Sequence, residues 1–158
     1  MKHLISIILL LFSINIYSIN YSKQKVFIGG NVKAPKTYTI EEISKLPQST
    51  ADIHDPYSKN KKVRFQGILL ADLFKIHANK NSKRIEIIAI NDYKVTIDRS
   101  FIEKEKMLLA IKGDGSFLTV KEKGPARIVV PGKGELKEGK LAKEGVNWVW
   151  FVRSINFL

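Results

Sequence analysis

Short apolar segments separated by turn residues dominate this chain of 158 residues. Residues 84–97 alternate between apolar and polar side chains on either side of Asn91 and Asp92, a pattern that predicts a β-hairpin. The apolar run at residues 128–130 predicts a buried strand, and residues 148–157 predict a terminal strand. We therefore expect a core built mainly from short β-strands.

The helices predicted from the sequence are few and short. Residues 39–42 and 100–103 each match a capping box, in which a hydroxyl and a glutamate satisfy backbone amides at a helix start. Apolar side chains at three- and four-residue spacing predict another helix over residues 69–74. The Lys- and Glu-rich stretch 134–145 contains three glycines and predicts a mobile loop. Because no strand–helix–strand rhythm is present, the pattern indicates an α+β fold that is mainly β.

Composition excludes several kinds of chemistry. The chain has no cysteine, which removes disulfides, thiolate metal ligands and cysteine nucleophiles. Its three histidines, His3, His54 and His77, are too far apart in sequence for a zinc-binding helix motif. The net charge is +12, but only five of the 27 cationic side chains are arginine, the residue that phosphate and base-edge contacts favour. We interpret the excess charge as a solvated lysine surface, and we expect no nucleic-acid partner.

The start of the chain has the order of a secretory signal peptide. A positively charged beginning precedes the apolar residues 4–12 and a more polar stretch, residues 13–18. The apolar part is shorter than the roughly 20 residues of a transmembrane helix, although an uncleaved anchor that reaches Ile19 is the alternative. We expect a signal peptide over residues 1–20, one mature domain over residues 21–158, and a periplasmic or secreted protein.

Several segments stand in an order and spacing that match one known family. They are residues 39–47 (TIEEISKLP), 65–74 (FQGILLADLF), 89–93 (AINDY), 109–115 (LAIKGDG) leading into 123–131 (KGPARIVVP), and 150–155 (WFVRSI). Together these segments resemble the oxidoreductase molybdopterin-binding domain, which has the sulfite-oxidase-like fold, in its small exported form. The resemblance implies a mainly β domain with a pocket shaped for a pterin.

The missing cysteine distinguishes this chain from the catalytic members of that family, in which a cysteine thiolate ligates molybdenum. A soft thiolate holds and tunes that metal, so we expect a pterin ligand and no metal. Resemblance to small members without cysteine implies a periplasmic pterin-binding protein that works with a membrane-bound cyclic-di-GMP enzyme. The alternatives are a molybdopterin-dependent oxidoreductase with an unusual metal ligand, and an adaptor domain that has lost any small ligand.

The hairpin tip is the first candidate for contact with a pterin. A pterin has a flat face and an edge of N–H donors, so its site needs an aromatic or guanidinium plane and an oxygen acceptor. Asn91, Asp92 and Tyr93 together offer an acceptor beside an aromatic ring. The alternative is an ordinary Asn–Asp turn with a tyrosine packed in the core.

A second candidate group is Asp52, His54 and Tyr57, in a segment without clear periodicity. We interpret this segment as a loop, and loops carry function disproportionately. By resemblance, it lies roughly where the catalytic relatives place their metal ligand. The alternative is an ordinary surface loop.

Three further residues complete the predicted site. Arg127 precedes the buried run 128–130, so its guanidinium must either pair with an acid or line a cavity. Lys133 is a candidate anion contact, with a solvated lysine as the alternative. Trp148 and Trp150 share one face of the predicted terminal strand, and we expect Trp150 in the core and Trp148 as a candidate for stacking on the ligand.

Overall fold

The computed structural model describes residues 20–133, 135–136 and 138–158. The predicted signal peptide lies outside these ranges except for Asn20. The described residues form two five-stranded sheets and several short helices, an α+β fold that is mainly β, as the sequence predicts.

The first sheet has the strand order β2-β1-β10-β5-β6. Strands β1 and β10 pair in parallel, and the other neighbours are antiparallel. Its strands are β1 (Lys25–Gly30), β2 (Lys36–Thr39), β5 (Arg84–Ala89), β6 (Lys94–Asp98) and β10 (Val152–Phe157). The predicted hairpin is therefore confirmed as β5 and β6.

The second sheet is antiparallel and has the order β3-β4-β7-β8, with β9 also paired to β7. Its strands are β3 (Ser49–Asp55), β4 (Lys61–Leu69), β7 (Leu108–Gly113), β8 (Ser116–Phe117) and β9 (Arg127–Val129). Strand β4 continues through Gly67, with a bulge in its pairing to β7 between Gln66 and Gly67. At Gly67 the backbone passes so close to the carbonyl oxygen of Leu109 that a side chain would collide with it.

Within the described residues, four α-helices connect the strands, and none of them is long and apolar enough to cross a membrane. They are α1 (Ile40–Ile43), α2 (Leu70–His77), α3 (Arg99–Lys104) and α4 (Glu138–Glu144). The part of the chain that the structure describes also has 3₁₀ turns at Tyr21–Lys23, Pro131–Lys133 and Gly145–Asn147. Buried apolar side chains from both sheets and from α1, α2 and α3 form one continuous core.

One of the two predicted capping boxes is present. The Thr39 hydroxyl accepts the Glu42 amide at 3.1 Å, and the Glu42 carboxylate accepts the Thr39 amide at 2.7 Å. The second prediction is wrong: α3 begins at Arg99, and its N-cap residue makes no side-chain capping bond. Glu103 pairs instead with the Arg99 side chain at 2.8 Å, so its carboxylate is not used as a cap.

Two other predictions near the carboxyl end are corrected. Residues 138–144 form α4 rather than a loop, because apart from Gly139 they are good helix formers and Leu141 packs against the core. The terminal strand starts at Val152 rather than at residue 148. Phe151 has a left-handed backbone, with φ at 52°, which interrupts extended structure just before the strand.

Candidate functional site

A cleft of about 830 Å³ lies where β5 ends and the chain enters β10. Its walls come from Tyr57, the second residue after β3, and from the end and turn of the β5–β6 hairpin, α4 and the segment before β10. The lining residues are Tyr57, Ala89, Asn91, Tyr93, Leu141, Ala142, Gly145, Val146, Trp148, Val149, Trp150 and Phe151. Four of the predicted site residues, Tyr57, Asn91, Tyr93 and Trp148, are among them.

Aromatic rings form much of this cleft. The Tyr57 ring meets the Trp150 ring edge-to-face, with centroids 4.7 Å apart, and meets Trp148 at 6.3 Å. Trp148 is buried, Trp150 is half-buried, and Tyr93 is 43% exposed at the rim. A ring cluster with both buried and exposed members offers apolar contact area to a flat ligand.

Two tyrosine hydroxyls hold the segment that follows α4. Tyr57 Oη donates to the carbonyl oxygen of Gly145, and Tyr93 Oη donates to that of Val146, both at 2.9 Å. We call residues 145–146 the strap. Burial raises the pKa of Tyr57, and the nearby Tyr93 raises it further, so the Tyr57 hydroxyl keeps the proton that it donates.

The backbone of Tyr57 is held on both sides of the residue. Its amide donates to Asp55 Oδ1 at 3.1 Å, and its carbonyl accepts from Lys123 Nζ at 3.1 Å. The Lys123 ammonium also lies 5.2 Å from the centre of the Trp150 ring. Burial lowers the pKa of Lys123, an effect that the carboxylate of Asp55 opposes. These contacts fix Tyr57 at the wall of the cleft.

A buried ion pair supports the same wall. Arg127 donates to both carboxylate oxygens of Asp55, at 2.8 and 3.1 Å, and the two side chains are 1% and 2% exposed. Burial alone would raise the pKa of Asp55, but the hydrogen bonds and charge of Arg127 outweigh it and lower that pKa. The guanidinium lies 5.9 Å from the centre of the Trp148 ring. Arg127 thus pairs with an acid, one of its two predicted roles, and does not line the cleft.

Of the three residues at the hairpin tip, two line the cleft and one lies on the surface. The side-chain oxygen of Asn91 accepts the Tyr93 amide at 3.3 Å, which is the turn geometry that asparagine favours. Asp92 has φ of 64° and pairs with Arg153 at 2.9 Å on the surface. Asn91 and Tyr93 line the cleft, whereas Asp92 is not among its lining residues.

Besides Arg127 and Asp92, three predicted site residues do not line the cleft. Asp52 pairs with Arg64 at 2.8 Å, and Lys133 lies 3.6 Å from Glu144. His54 donates from Nδ1 to the carbonyl oxygen of Asn60 at 3.0 Å. These contacts are structural, and whether any of the predicted residues touches a ligand stays a prediction.

The interpretation of residues 52–57 as a loop is wrong for its first part, because β3 extends to Asp55. The inward positions of β3 include Ile53 and Asp55, and a charged residue at an inward position hides the apolar alternation that marks a strand. The burial of Asp55 depends on Arg127, which lies far away in sequence. Local periodicity therefore could not reveal this strand.

Part of the cleft is not predicted from the sequence. Trp150, expected in the core, is half-buried and lines the cleft, and α4 and Gly145 of the strap lay in the predicted loop, whereas Val146 was not singled out. The helix-forming composition of residues 138–144 is the feature that could have identified the α4 wall.

A protein-family model, described as the oxidoreductase molybdopterin-binding domain, matches residues 14–149. The chain therefore belongs to this family. A comparison with curated protein sequences gives no match. Among solved structures, the chain is similar to the sulfane dehydrogenase SoxCD from Paracoccus pantotrophus, with a TM-score of 0.66 and 20% identity. The alignment covers 89% of this chain but only 39% of that one, and it supports the sulfite-oxidase-like fold predicted from the sequence.

The cleft can be compared with the two parts of the family's cofactor. Its rings and its oxygen acceptors suit the flat face and the N–H edge of a pterin. Among the described residues, those that line the cleft include no carboxylate, imidazole or thiolate. The lining therefore fits the organic part of the cofactor and does not offer the soft ligand that molybdenum takes in this family.

Proposed function

We propose that this protein is an exported, non-catalytic pterin-binding protein that binds its ligand in the aromatic cleft. Membership of the molybdopterin-binding family supports a pterin-type ligand. The observation that carries the proposal is the cleft itself, where Tyr57, Tyr93 and two tryptophans surround about 830 Å³.

The residues of the cleft divide the binding between ring contacts and polar contacts. The faces and edges of the tyrosine and tryptophan rings would contact the flat face of the pterin. Tyrosine and strap oxygens, with the Asn91 side chain, would meet its polar edge. When bound with molybdenum, a pterin cofactor supports oxygen-atom transfer, but we derive no such step because this chain offers no thiolate.

The proposal is tested by recovering the ligand. Protein purified from its native host, then denatured and removed, should leave a pterin in the supernatant, visible by its fluorescence and identified by mass spectrometry. A Tyr93→Ala variant prepared in the same way should carry much less. Native protein that carries no pterin, and that does not bind added pterin, would contradict the proposal.

A molybdopterin-dependent oxidoreductase is the second candidate. The similarity to the sulfane dehydrogenase SoxCD favours it, although at 20% identity that similarity concerns the fold. Metal analysis separates the two candidates. Stoichiometric molybdenum in the native protein would favour the oxidoreductase, whereas a pterin without molybdenum would favour the binding protein.

A ligand-free adaptor domain is less consistent with the cleft. An adaptor that has lost its ligand has no need to keep a volume of about 830 Å³ open among aromatic rings. We therefore rank it third, and the supernatant experiment distinguishes it from the binding protein.

We further propose that occupancy of the cleft is reported to a membrane-bound cyclic-di-GMP enzyme after export. The charged and apolar order of residues 1–20 supports export, and resemblance to small family members without cysteine supports the signalling role. Fractionation of cells should find the protein outside the cytoplasm. Deleting its gene should change the cellular level of cyclic-di-GMP, and a variant that cannot bind pterin should not restore that level.

A further inference from the structure

The two cleft tyrosines have hydroxyls with a fixed hydrogen-bond polarity. A hydroxyl has one proton to donate and two lone pairs that accept. Tyr57 gives its proton to the Gly145 carbonyl and Tyr93 gives its proton to the Val146 carbonyl, each at 2.9 Å. Toward a ligand, both hydroxyl oxygens can therefore act only as acceptors while the strap stays in place.

The other polar side-chain groups of the cleft belong to its two tryptophans and to Asn91, and none of them changes the direction of the tyrosine hydrogen bonds. Both indole nitrogens, of Trp148 and Trp150, are buried, so they present no donor at the surface of the cleft. The Asn91 side chain uses its oxygen to accept the Tyr93 amide and keeps its NH₂ group for an acceptor on the ligand. Tyr57 and Tyr93 thus each offer an acceptor to a ligand, and the side chain of Asn91 offers a donor.

We propose that the strap makes Tyr57 and Tyr93 an acceptor pair, and that this pair selects a flat heterocycle with N–H donors on the edge that faces it. The inference rests on the proposed function and adds to it the feature of the ligand that is recognised. A ring whose edge carries a carbonyl oxygen at the same place would set acceptor against acceptor. That leaves the groups unpaired, which costs about a factor of ten in affinity or more.

Two bicyclic compounds of nearly the same shape test this selectivity. Pterin carries an amino group at position 2, whereas lumazine carries a carbonyl oxygen there. The chain has only two tryptophans, and both line the cleft, so quenching of their fluorescence reports binding of either compound. We expect the purified protein to bind pterin at least about tenfold more tightly than lumazine.

Variants of the acceptor pair should change the ratio of the two affinities. Tyr57→Phe and Tyr93→Phe keep the rings and remove one acceptor each, so each should move the ratio of pterin to lumazine affinity toward one. A merely structural role would weaken both compounds by the same factor and leave the ratio unchanged. The ratio of the two affinities therefore distinguishes recognition of the ligand by the tyrosine hydroxyls from a purely structural role.

A glycine substitution tests the role of the strap without altering either tyrosine. A Cβ at Gly145 would collide with Tyr57 Oη, so Gly145→Ala should separate the hydroxyl from the carbonyl and free its proton to donate. The ratio should then fall toward one. Gly139→Ala is the matched control, because a Cβ there meets nothing within 4 Å, and it should keep the wild-type ratio.

Three results would overturn the inference, and they differ in what they mean for the proposed function. Equal binding of pterin and lumazine by the wild type would overturn the inference and leave the proposed function standing. A ratio that stays unchanged in both phenylalanine variants would do the same. If the wild type binds neither compound, the proposed function fails and the inference fails with it.

Discussion

Two aspartates of β3 each pair with an arginine, and the two ion pairs differ in burial. Burial decides how much the loss of one partner costs in stability. The side chains of Asp52 and Arg64 are 40% and 68% exposed, whereas those of Asp55 and Arg127 are 2% and 1% exposed. Exposed pairs contribute little to stability because water competes for both charges. A buried pair also contributes little relative to apolar side chains, but the loss of one member leaves a charge without a partner.

Asp55→Asn should therefore destabilise the protein strongly. The Arg127 guanidinium would stay buried without a counter-charge, which costs about 3–5 kcal/mol in free energy of unfolding. Denaturation in urea measures the change. Asp52→Asn is the matched control on the same strand, and we expect it to cost less than about 1 kcal/mol. Equal effects of the two substitutions on the free energy of unfolding would contradict the burial of the Asp55–Arg127 ion pair.

His77 should make stability depend on pH. Its Nε2 lies 3.1 Å from the Tyr38 hydroxyl, and burial, with Lys36 and Lys33, lowers its pKa below 6.5. Below pH 6.5 the unfolded chain binds a proton that folded His77 does not, so stability should fall as the pH drops through this range. The fall should level off below the pKa of the folded state.

Urea denaturation of the wild type and of His77→Gln, from about pH 8 to about pH 5, measures this contribution. The stability of the wild type relative to the variant should decrease as the pH falls. A difference that stays constant, or grows toward low pH, would show that His77 does not titrate as its surroundings indicate.

At the scale of elements, two glycines should respond to alanine in opposite directions. In β4, a Cβ at Gly67 would collide with the Leu109 carbonyl, so Gly67→Ala should destabilise the protein by about 1–3 kcal/mol. In α4, Gly139 has open space around it, so Gly139→Ala should stabilise by about 0.5–1 kcal/mol. Thermal unfolding of both variants checks the signs, and a stabilising Gly67→Ala would mean that β4 and β7 are not so close.

Some helices and strands can be predicted from their own residues, and others depend on contacts with distant residues or on backbone conformation. The hairpin of β5 and β6 and the capping box of α1 depend on neighbouring residues, so local patterns predict them correctly. The end of β3 depends on a distant arginine, and the start of β10 depends on the backbone of Phe151, neither of which periodicity reports. The cleft was predicted only in part. Its tyrosines and Trp148 were predicted because their rings suit a flat ligand, whereas the strap contributes backbone carbonyls, which no residue type in the sequence marks.

At the scale of the whole molecule, a ligand in the cleft should stabilise the fold. Pterin at about 100 times its dissociation constant should add about 2.7 kcal/mol to the free energy of unfolding, because only the folded state binds it. For a chain of this size, that raises the melting temperature by roughly 5–10 °C. Asp52→Asn should keep this shift and Tyr93→Ala should lose most of it. A shift that Tyr93→Ala retains in full would place the ligand elsewhere.

The parallel pairing of β1 and β10 has a practical consequence for anyone who attaches a dye, tag or surface linker to this protein. Phe27 stands beside Ser154, so the beginning of β1 is near the beginning of β10, where Trp150 and Phe151 lie. Gly30 stands beside Phe157, so Leu158 leaves at the far end. A group attached after Leu158 would thus lie at the opposite end of β10 from Trp150 and Phe151, whereas one attached just ahead of β1 would lie at the same end as these two cleft residues.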